Sequence, residues 1–297
     1  MDGKDSMEIK KIVTDYFHNL KDYDEYKVTM MEERVFPNLK KLNLKFADFV
    51  KLFCSKAEER CDEKSENIFL VNVGSSGSHW LAAMINELEG INTIGEVYFP
   101  TKLKDRVENL SIPDRQFLVN AVHLGHLPNF NSSNAISKII NTGHFSGRML
   151  KFIRESDPNS KCIILIRDPM DIVISRTFRK DEHKQLIAPN STRDEYLWKN
   201  INMVKNWYKN NLKQSFDFEV RYEDLIQDPE SSLTSLCTFL NINFELPQIR
   251  EIIHQYDKDS NPKNTKLFTG SQKKITIAQR QTIEEELSDL RKILGYI

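Results

Sequence analysis

Two stretches carry residue types suited to gripping anions. Residues 71–80 read Val-Asn-Val-Gly-Ser-Ser-Gly-Ser-His-Trp, entered by the apolar run Ile68-Phe69-Leu70-Val71 and left by a helical pattern from Trp80. Strand, glycine-serine loop, helix is the layout of a phosphate cradle, because free amides and the positive end of the helix dipole face the loop. Gly77 permits close backbone approach, and Ser76 and Ser78 add hydroxyl donors. The loop lacks the Lys-Ser/Thr pair that grips β/γ-phosphates and Mg²⁺, which argues against an NTPase or nucleotide kinase. In the second stretch Arg167 closes the run Ile163-Ile164-Leu165-Ile166, and Ser175 follows eight residues later, about two helical turns on. A guanidinium and a hydroxyl so placed could hold a second phosphate.

Transfer chemistry also needs a proton acceptor. Glu96 stands in Gly95-Glu96 after the apolar piece Ile91–Ile94, and His126 in Gly125-His126-Leu127-Pro128 after the run Phe117–Val122. Imidazole titrates near neutrality and suits a base at pH 7 better than an unperturbed carboxylate.

These residues all follow apolar runs, at about 68–73, 91–94, 117–122, 161–166 and 216–220, the last leading into Arg221-Tyr222-Glu223-Asp224. Short, nearly continuous apolar runs separated by helical patterns predict strands buried on both faces. The expected fold is α/β, one domain with a central parallel sheet flanked by helices and a strand–phosphate-loop–helix unit. Ligands of such sheets lie beyond the carboxyl ends of the strands. Residues 1–66 read as a charged helical extension, with Phe46, Phe49, Val50 and Phe53 on one face. They are expected to pack on a 67–297 core, since no Pro/Gly/Ser-rich linker separates the two.

The 42 Lys+Arg against 43 Asp+Glu leave a net charge of −1, so no basic excess points to nucleic acid. The N-terminus has no apolar signal core, and no run approaches the roughly 20 apolar residues of a membrane span. The four cysteines have no zinc-like spacing. The expectation is a soluble cytoplasmic protein with reduced thiols and no metal.

Taken together, the motifs resemble the sulfotransferase family, whose sulfuryl donor is 3′-phosphoadenosine 5′-phosphosulfate (PAPS). The family's Pro-Lys-Ser-Gly-Thr-Thr-Trp is similar to Gly74-Ser75-Ser76-Gly77-Ser78-His79-Trp80, and its 3′-phosphate motif to Arg167 through Ser175. Its Arg-Tyr-Glu-Asp-Leu block stands as Arg221 to Leu225, followed by Asp228-Pro229 and Phe239-Leu240. The resemblance covers about residues 67–297. It implies that Ser75 to Trp80 hold the phosphosulfate, that Arg167 and Ser175 hold the 3′-phosphate, and that Trp80 and Tyr222 flank adenine. It also implies a donor-covering loop at Thr269, Gly270 and Lys273. His126 resembles the base of the cytosolic branch, and Glu96 that of the tyrosylprotein and some bacterial and carbohydrate branches.

The chain departs from the pattern where charge matters. Ser75 replaces the loop's Lys or Arg, which offsets charge on the leaving phosphate, and Leu124 replaces the Lys before the cytosolic Thr-His-Leu-Pro motif. Either another cation enters (His79, Lys102, Lys104, Lys273 and Lys274 are candidates), or the chain binds nucleotide with little catalysis. The intervening loops mix aromatics such as Phe130 and Phe178 with charges such as Asp181 and Glu182. That mixture suits a small alcohol, phenol or amine better than a polyanionic sugar.

Overall fold

The computed structural model describes residues 3–18, 40–41, 43–62, 66–97, 99, 107, 109–127, 138–145, 147–178, 184–185, 188–256 and 274–297. In chain order, the elements begin with α1 (Gly3–His18), α2 (Phe46–Asp62), β1 (Glu66–Val71), α3 (Ser78–Ile85), β2 (Ile91–Gly95) and α4 (Ile112–Gly125). Then come β3 (Lys138–Asn141), α5 (Gly147–Ser156), β4 (Lys161–Ile166), α6 (Pro169–Phe178), α7 (Arg193–Asn211) and β5 (Phe218–Arg221). The last four are α8 (Tyr222–Gln227), α9 (Pro229–Phe239), α10 (Leu246–Tyr256) and α11 (Ile277–Ile293). The strands form one parallel five-stranded sheet in the order β2-β3-β1-β4-β5. β1 and β4 are buried at every position but their first, as their unbroken apolar sequences require.

Two compact units share the chain. The first comprises 1–70, 89–143 and 148–162. In it β3 pairs with β1 in the register Glu66↔Lys138 to Phe69↔Asn141, and with β2 in the register Ile91↔Lys138 to Gly95↔Asn141. Helices α1 and α2 both pack on α4, burying Ile9, Val13, Phe17, Val50 and Ala57. The side chains of Phe46, Phe49 and Phe53 lie outside the described residues. The second unit comprises 71–88, 144–147 and 163–297, with β5 paired to β4 from Ile163↔Phe218 to Ile166↔Arg221. Its α7 and α11 both start at capping boxes, Thr192/Glu195 and Thr276/Gln279, which satisfy otherwise orphaned amides.

Four of the five expected strands form. The run 117–122 is instead the middle of helix α4. Ser111 caps that helix by accepting a hydrogen bond from Asp114 N, with Pro113 in its first turn. Phe117, Leu118, Val119, Ala121 and Val122 are all buried. A helix covered all round reads as a continuous apolar run, so periodicity cannot tell it from a buried strand. The true third strand contains only Ile139 and Ile140 as apolar residues.

A polar network crosses the first unit's core. Asn67 Nδ2 donates to Asn120 Oδ1 at 2.8 Å and to Asp157 Oδ2 at 2.7 Å. Asn67 Oδ1 then faces His123 Nδ1 at 2.9 Å, and His123 Nε2 faces Asn141 Nδ2 at 3.2 Å. Asn141 Nδ2 also donates to Val97 O, while its Oδ1 accepts from Val97 N and Gly143 N. This donor order fits a neutral His123 carrying its proton on Nδ1. Burial, with Arg60 and His126 nearby, holds that imidazole well below its usual value.

The linkage has a definite sign. Below about pH 6.5 the unfolded chain takes up a proton that folded His123 refuses, so stability falls as pH drops through that window. The contribution is complete above the unfolded value and reaches a slope of up to about 1.4 kcal/mol per pH unit below it. Urea titrations from pH 8 to 5 should show this loss, and His123→Gln should flatten the slope whatever its stability at pH 8. Equal slopes for the two chains would refute it.

Candidate functional site

The loop after β1 is shaped by its own polar residues. Asn72 Oδ1 accepts from Gly74 N at 2.9 Å, the side-chain-to-backbone closure typical of an Asx turn. Gly74 (φ 78°), Ser75 (φ 57°) and Gly77 (φ 94°) then take left-handed conformations that turn the chain into α3. Ser76 is fully buried, and its Oγ has no hydrogen-bond partner among the described residues. Ser78 is buried in the first turn of α3, and His79 is exposed. A buried hydroxyl without a protein partner, beside the amides of a helix N-terminus, fits an oxyanion seat.

Tyr222 and Arg167 complete this cradle. Tyr222 opens α8 directly after β5, and a Cβ added at Gly77 would stand 2.5 Å from its Cδ2 and Cε2 atoms. The Arg167 guanidinium lies 4.1 Å from the centroid of the Tyr222 ring, and its Nη1 donates to Ser75 O at 2.8 Å. Trp80 meets Tyr222 edge-on with centroids 6.1 Å apart, and its Nε1 donates to Tyr256 O at 2.8 Å. Five residues named from the sequence (Ser75, Gly77, Trp80, Arg167 and Tyr222) are therefore joined by direct contacts. Ser175 is buried on α6. Thr269, Gly270 and Lys273 lie outside the described residues, as do Lys102 and Lys104.

The neighbourhood fixes Arg167 firmly. Tyr208 hydroxyl accepts from Arg167 N and donates to Arg167 O at 2.8 Å; burial pushes that phenol's pKa upward, so it stays protonated. Asp168 N donates to Glu223 Oε1, and Arg291 forks the Asp168 carboxylate at 2.9–3.2 Å. Tyr296 hydroxyl donates to Glu223 Oε2 at 2.7 Å. Burial lowers the Arg167 pKa, opposed chiefly by Asp171, whose Oδ2 lies 3.7 Å from Nη2. Arginine remains charged throughout.

Two residues that the sequence does not single out for the loop lie against Gly74. A Cβ at Gly74 would lie 2.6 Å from Arg176 Nη1 and 2.7–2.8 Å from Cε1 and Nε2 of His144. Arg176 Nη1 donates to Val73 O at 3.3 Å. His144 follows the end of β3 by three residues, and the next residue, Phe145, is pinned by Trp207 Nε1 donating to its carbonyl at 3.1 Å. The available signal was Thr142-Gly143-His144, a Thr and a His closing an apolar pair.

His126 and Glu96 belong to the first unit. His126 is the C-cap of α4 rather than the end of a strand, because the run before it is helical. Its ring is buried, with Nε2 3.2 Å from the Tyr16 hydroxyl and the ring centroid 5.5 Å from that of Phe17. Glu96 follows the last residue of β2 and is 9 % exposed. Among the described residues, no group of three or more His, Cys, Asp or Glu could hold a metal ion, and no helix is long and apolar enough to cross a membrane.

The family profile described as sulfotransferase domain matches residues 65–292. A Caenorhabditis elegans relative named "Putative protein-tyrosine sulfotransferase" is 29% identical over 154 residues, 49% of this chain and 55% of that protein. The aligned part thus spans about half the length of that relative. The crystal structure of sulfotransferase STF9 from Mycobacterium avium matches with a TM-score of 0.50 at 8% identity, covering 80% of this chain and 79% of that one. Mouse sulfotransferase SULT7A1 complexed with PAP matches with a TM-score of 0.49 at 16% identity, covering 77% and 85%.

Proposed function

Since this chain belongs to the sulfotransferase family, we propose that it moves the sulfuryl group of PAPS to a hydroxyl or amine of a small-molecule acceptor. The observation that carries the donor assignment is the cradle itself. A buried Ser76 hydroxyl lacks a partner among the described residues, beside a loop whose Ser75 carbonyl is bonded by Arg167. The loop amides and Ser78 receive the 5′-phosphosulfate. Arg167 and Ser175 receive the 3′-phosphate, and Trp80 and Tyr222 wall the adenine side. The covering loop with Thr269, Gly270 and Lys273 is part of the same proposal.

The reaction is an in-line displacement. The acceptor oxygen or nitrogen bonds to sulfur as the sulfur–oxygen bond to the 5′-phosphate breaks. The electron pair leaves with the phosphate, giving adenosine 3′,5′-bisphosphate (PAP), and the acceptor's proton passes to a base. We assign that base to His144, because its ring lies at Gly74 of the loop and in the same compact unit. Glu96, at the end of β2, is the second candidate, and His126 the third. No metal enters this scheme.

The nematode relative's name favours a phenolic acceptor, so tyrosine-containing peptides form the second reading. The 1–66 segment is proposed as an extension of the 67–297 catalytic region, consistent with a profile match that starts at 65. A cytoplasmic site of action accords with Cys54 and Cys237 being free thiols among the described residues.

Calorimetry tests the donor site. PAP should bind about 10- to 100-fold more tightly than AMP, as one or two charged hydrogen bonds provide, and Arg167→Ala should erase most of that preference. Equal affinity for the two nucleotides in the parent chain would reject the assignment. Turnover of labelled PAPS against small phenols, alcohols and amines beside a tyrosine peptide separates the two acceptor readings. Binding of PAP without any transfer would leave a nucleotide-binding protein lacking catalysis.

A further inference from the structure

The proposed reaction drives negative charge onto the 5′-phosphate as its bond to sulfur breaks. Ser75, where the resembling family motif has Lys or Arg, supplies no charge at any accessible pH. We propose that Arg176 provides it, reaching the loop from α6, and that it is a further catalytic residue of this chain. The inference rests on sulfuryl transfer being the reaction and on the geometry around Gly74.

Two of the loop's departures from the family pattern are adjacent and open its turn. Ser75 removes a cation, and Gly74 stands where the pattern has proline. The volume a larger residue at 74 would fill is taken by Arg176 Nη1, 2.6 Å from the position of an added Cβ, and by the His144 ring. One pair of changes thus removes a charge and opens the space for another.

The guanidinium is also aimed. Asn200 Nδ2 donates to Thr177 Oγ1 at 3.1 Å, which turns Asn200 Oδ1 toward Arg176 Nε at 3.4 Å. Nη1 is held on Val73 O, one residue before the first left-handed turn of the loop. A cation fixed in advance beside the site of developing charge needs no reorganisation when the bond breaks. Arginine keeps its charge even when partly buried.

Among the described residues, the other cation bonded to the loop already has work. Arg167 is stacked on Tyr222, bonded to Ser75 O and faced by Asp171, and its assignment is the 3′-phosphate. His79 is exposed. Arg176 meets the loop at Val73 and Gly74, whereas Arg167 meets it at Ser75.

The test uses slow hydrolysis of ³⁵S-labelled PAPS, in which water attacks sulfur and releases sulfate and PAP, so no acceptor need be known. Arg176→Gln, whose amide nitrogen stands at about the level of Nε and can still donate to Asn200 Oδ1, should bind PAP within about fivefold of the parent and release sulfate about 10²- to 10³-fold more slowly, the loss seen for one transition-state donor. Adding Ser75→Lys to that chain should recover about tenfold or more, because the charge returns from the loop side. Parental hydrolysis by Arg176→Gln overturns the inference, as does a loss that Ser75→Lys leaves unrepaired. If Arg176→Gln fails to fold, Arg176→Lys decides: a rate within about tenfold of the parent supports the charge role, and a loss of about 10²-fold or more overturns it. A parent chain that neither binds PAP nor releases sulfate overturns the sulfuryl-transfer reading itself, and this inference with it. The other outcomes strike the inference alone.

Discussion

An H144A chain is expected to bind PAP within about threefold of the parent while turning over PAPS with a phenolic acceptor about 10²- to 10⁴-fold more slowly, the range for loss of a general base. In the proposed reaction the acceptor sheds its proton as its oxygen bonds to sulfur, so the base belongs beside the loop proposed to hold the phosphosulfate. His144 meets that requirement through its approach to Gly74, and Trp207 pins the backbone that carries it. His126 is placed as a core residue, between Tyr16 and Phe17 at a helix end. His126→Ala should therefore lower the melting temperature and leave turnover per folded molecule near the parent's. Near-parental turnover in H144A combined with an inactive Glu96→Gln would transfer the role to Glu96. The acid limb of the rate-pH profile gives an independent check, since it should vanish with the true base.

The second large effect is structural. Gly77→Ala should cost about 2–5 kcal/mol, combining about 1–2 for a left-handed non-glycine residue with about 1–3 for overpacking. Gly77 has φ 94°, and its new methyl would meet two Tyr222 ring carbons at 2.5 Å. The ring cannot simply retreat, because Arg167 stacks on it and Trp80 abuts it. Such a cost is a large part of the 5–15 kcal/mol that typically holds a domain together. A lower melting temperature and about a hundredfold weaker PAP binding are expected. Tyr222→Ala in the same chain should return part of the stability by removing the clash but not the backbone strain. A Gly77→Ala chain with parental melting and affinity would show that the loop is not held as described.

The sequence revealed the sheet wherever a strand was long and apolar, as at β1 and β4, and it revealed the tight turn into α3 because glycine and serine cluster after β1. It misled at α4, where burial on every side erased the helical period and made His126 look like the end of a strand. It also passed over β3, whose two isoleucines are too few to signal anything. The absence of charge at Ser75 was plain in the sequence. Its replacement was not, since Arg176 lies about a hundred positions away and follows Ser175 as an ordinary helix residue. Spacing along the chain can show that a side chain has gone, but only packing shows which one has moved into the room it left.

The Tyr222 ring serves as the wall of Gly77, the shelf of Arg167 and the neighbour of Trp80 at once. Residues in contact change each other's mutational costs, so these positions do not vary independently. A lineage could enlarge residue 77 only after residue 222 had become smaller, and by then the arginine's shelf would be gone. The order of permissible changes is thereby narrowed from one generation to the next. Substitution at any one of these four positions is therefore constrained by the other three.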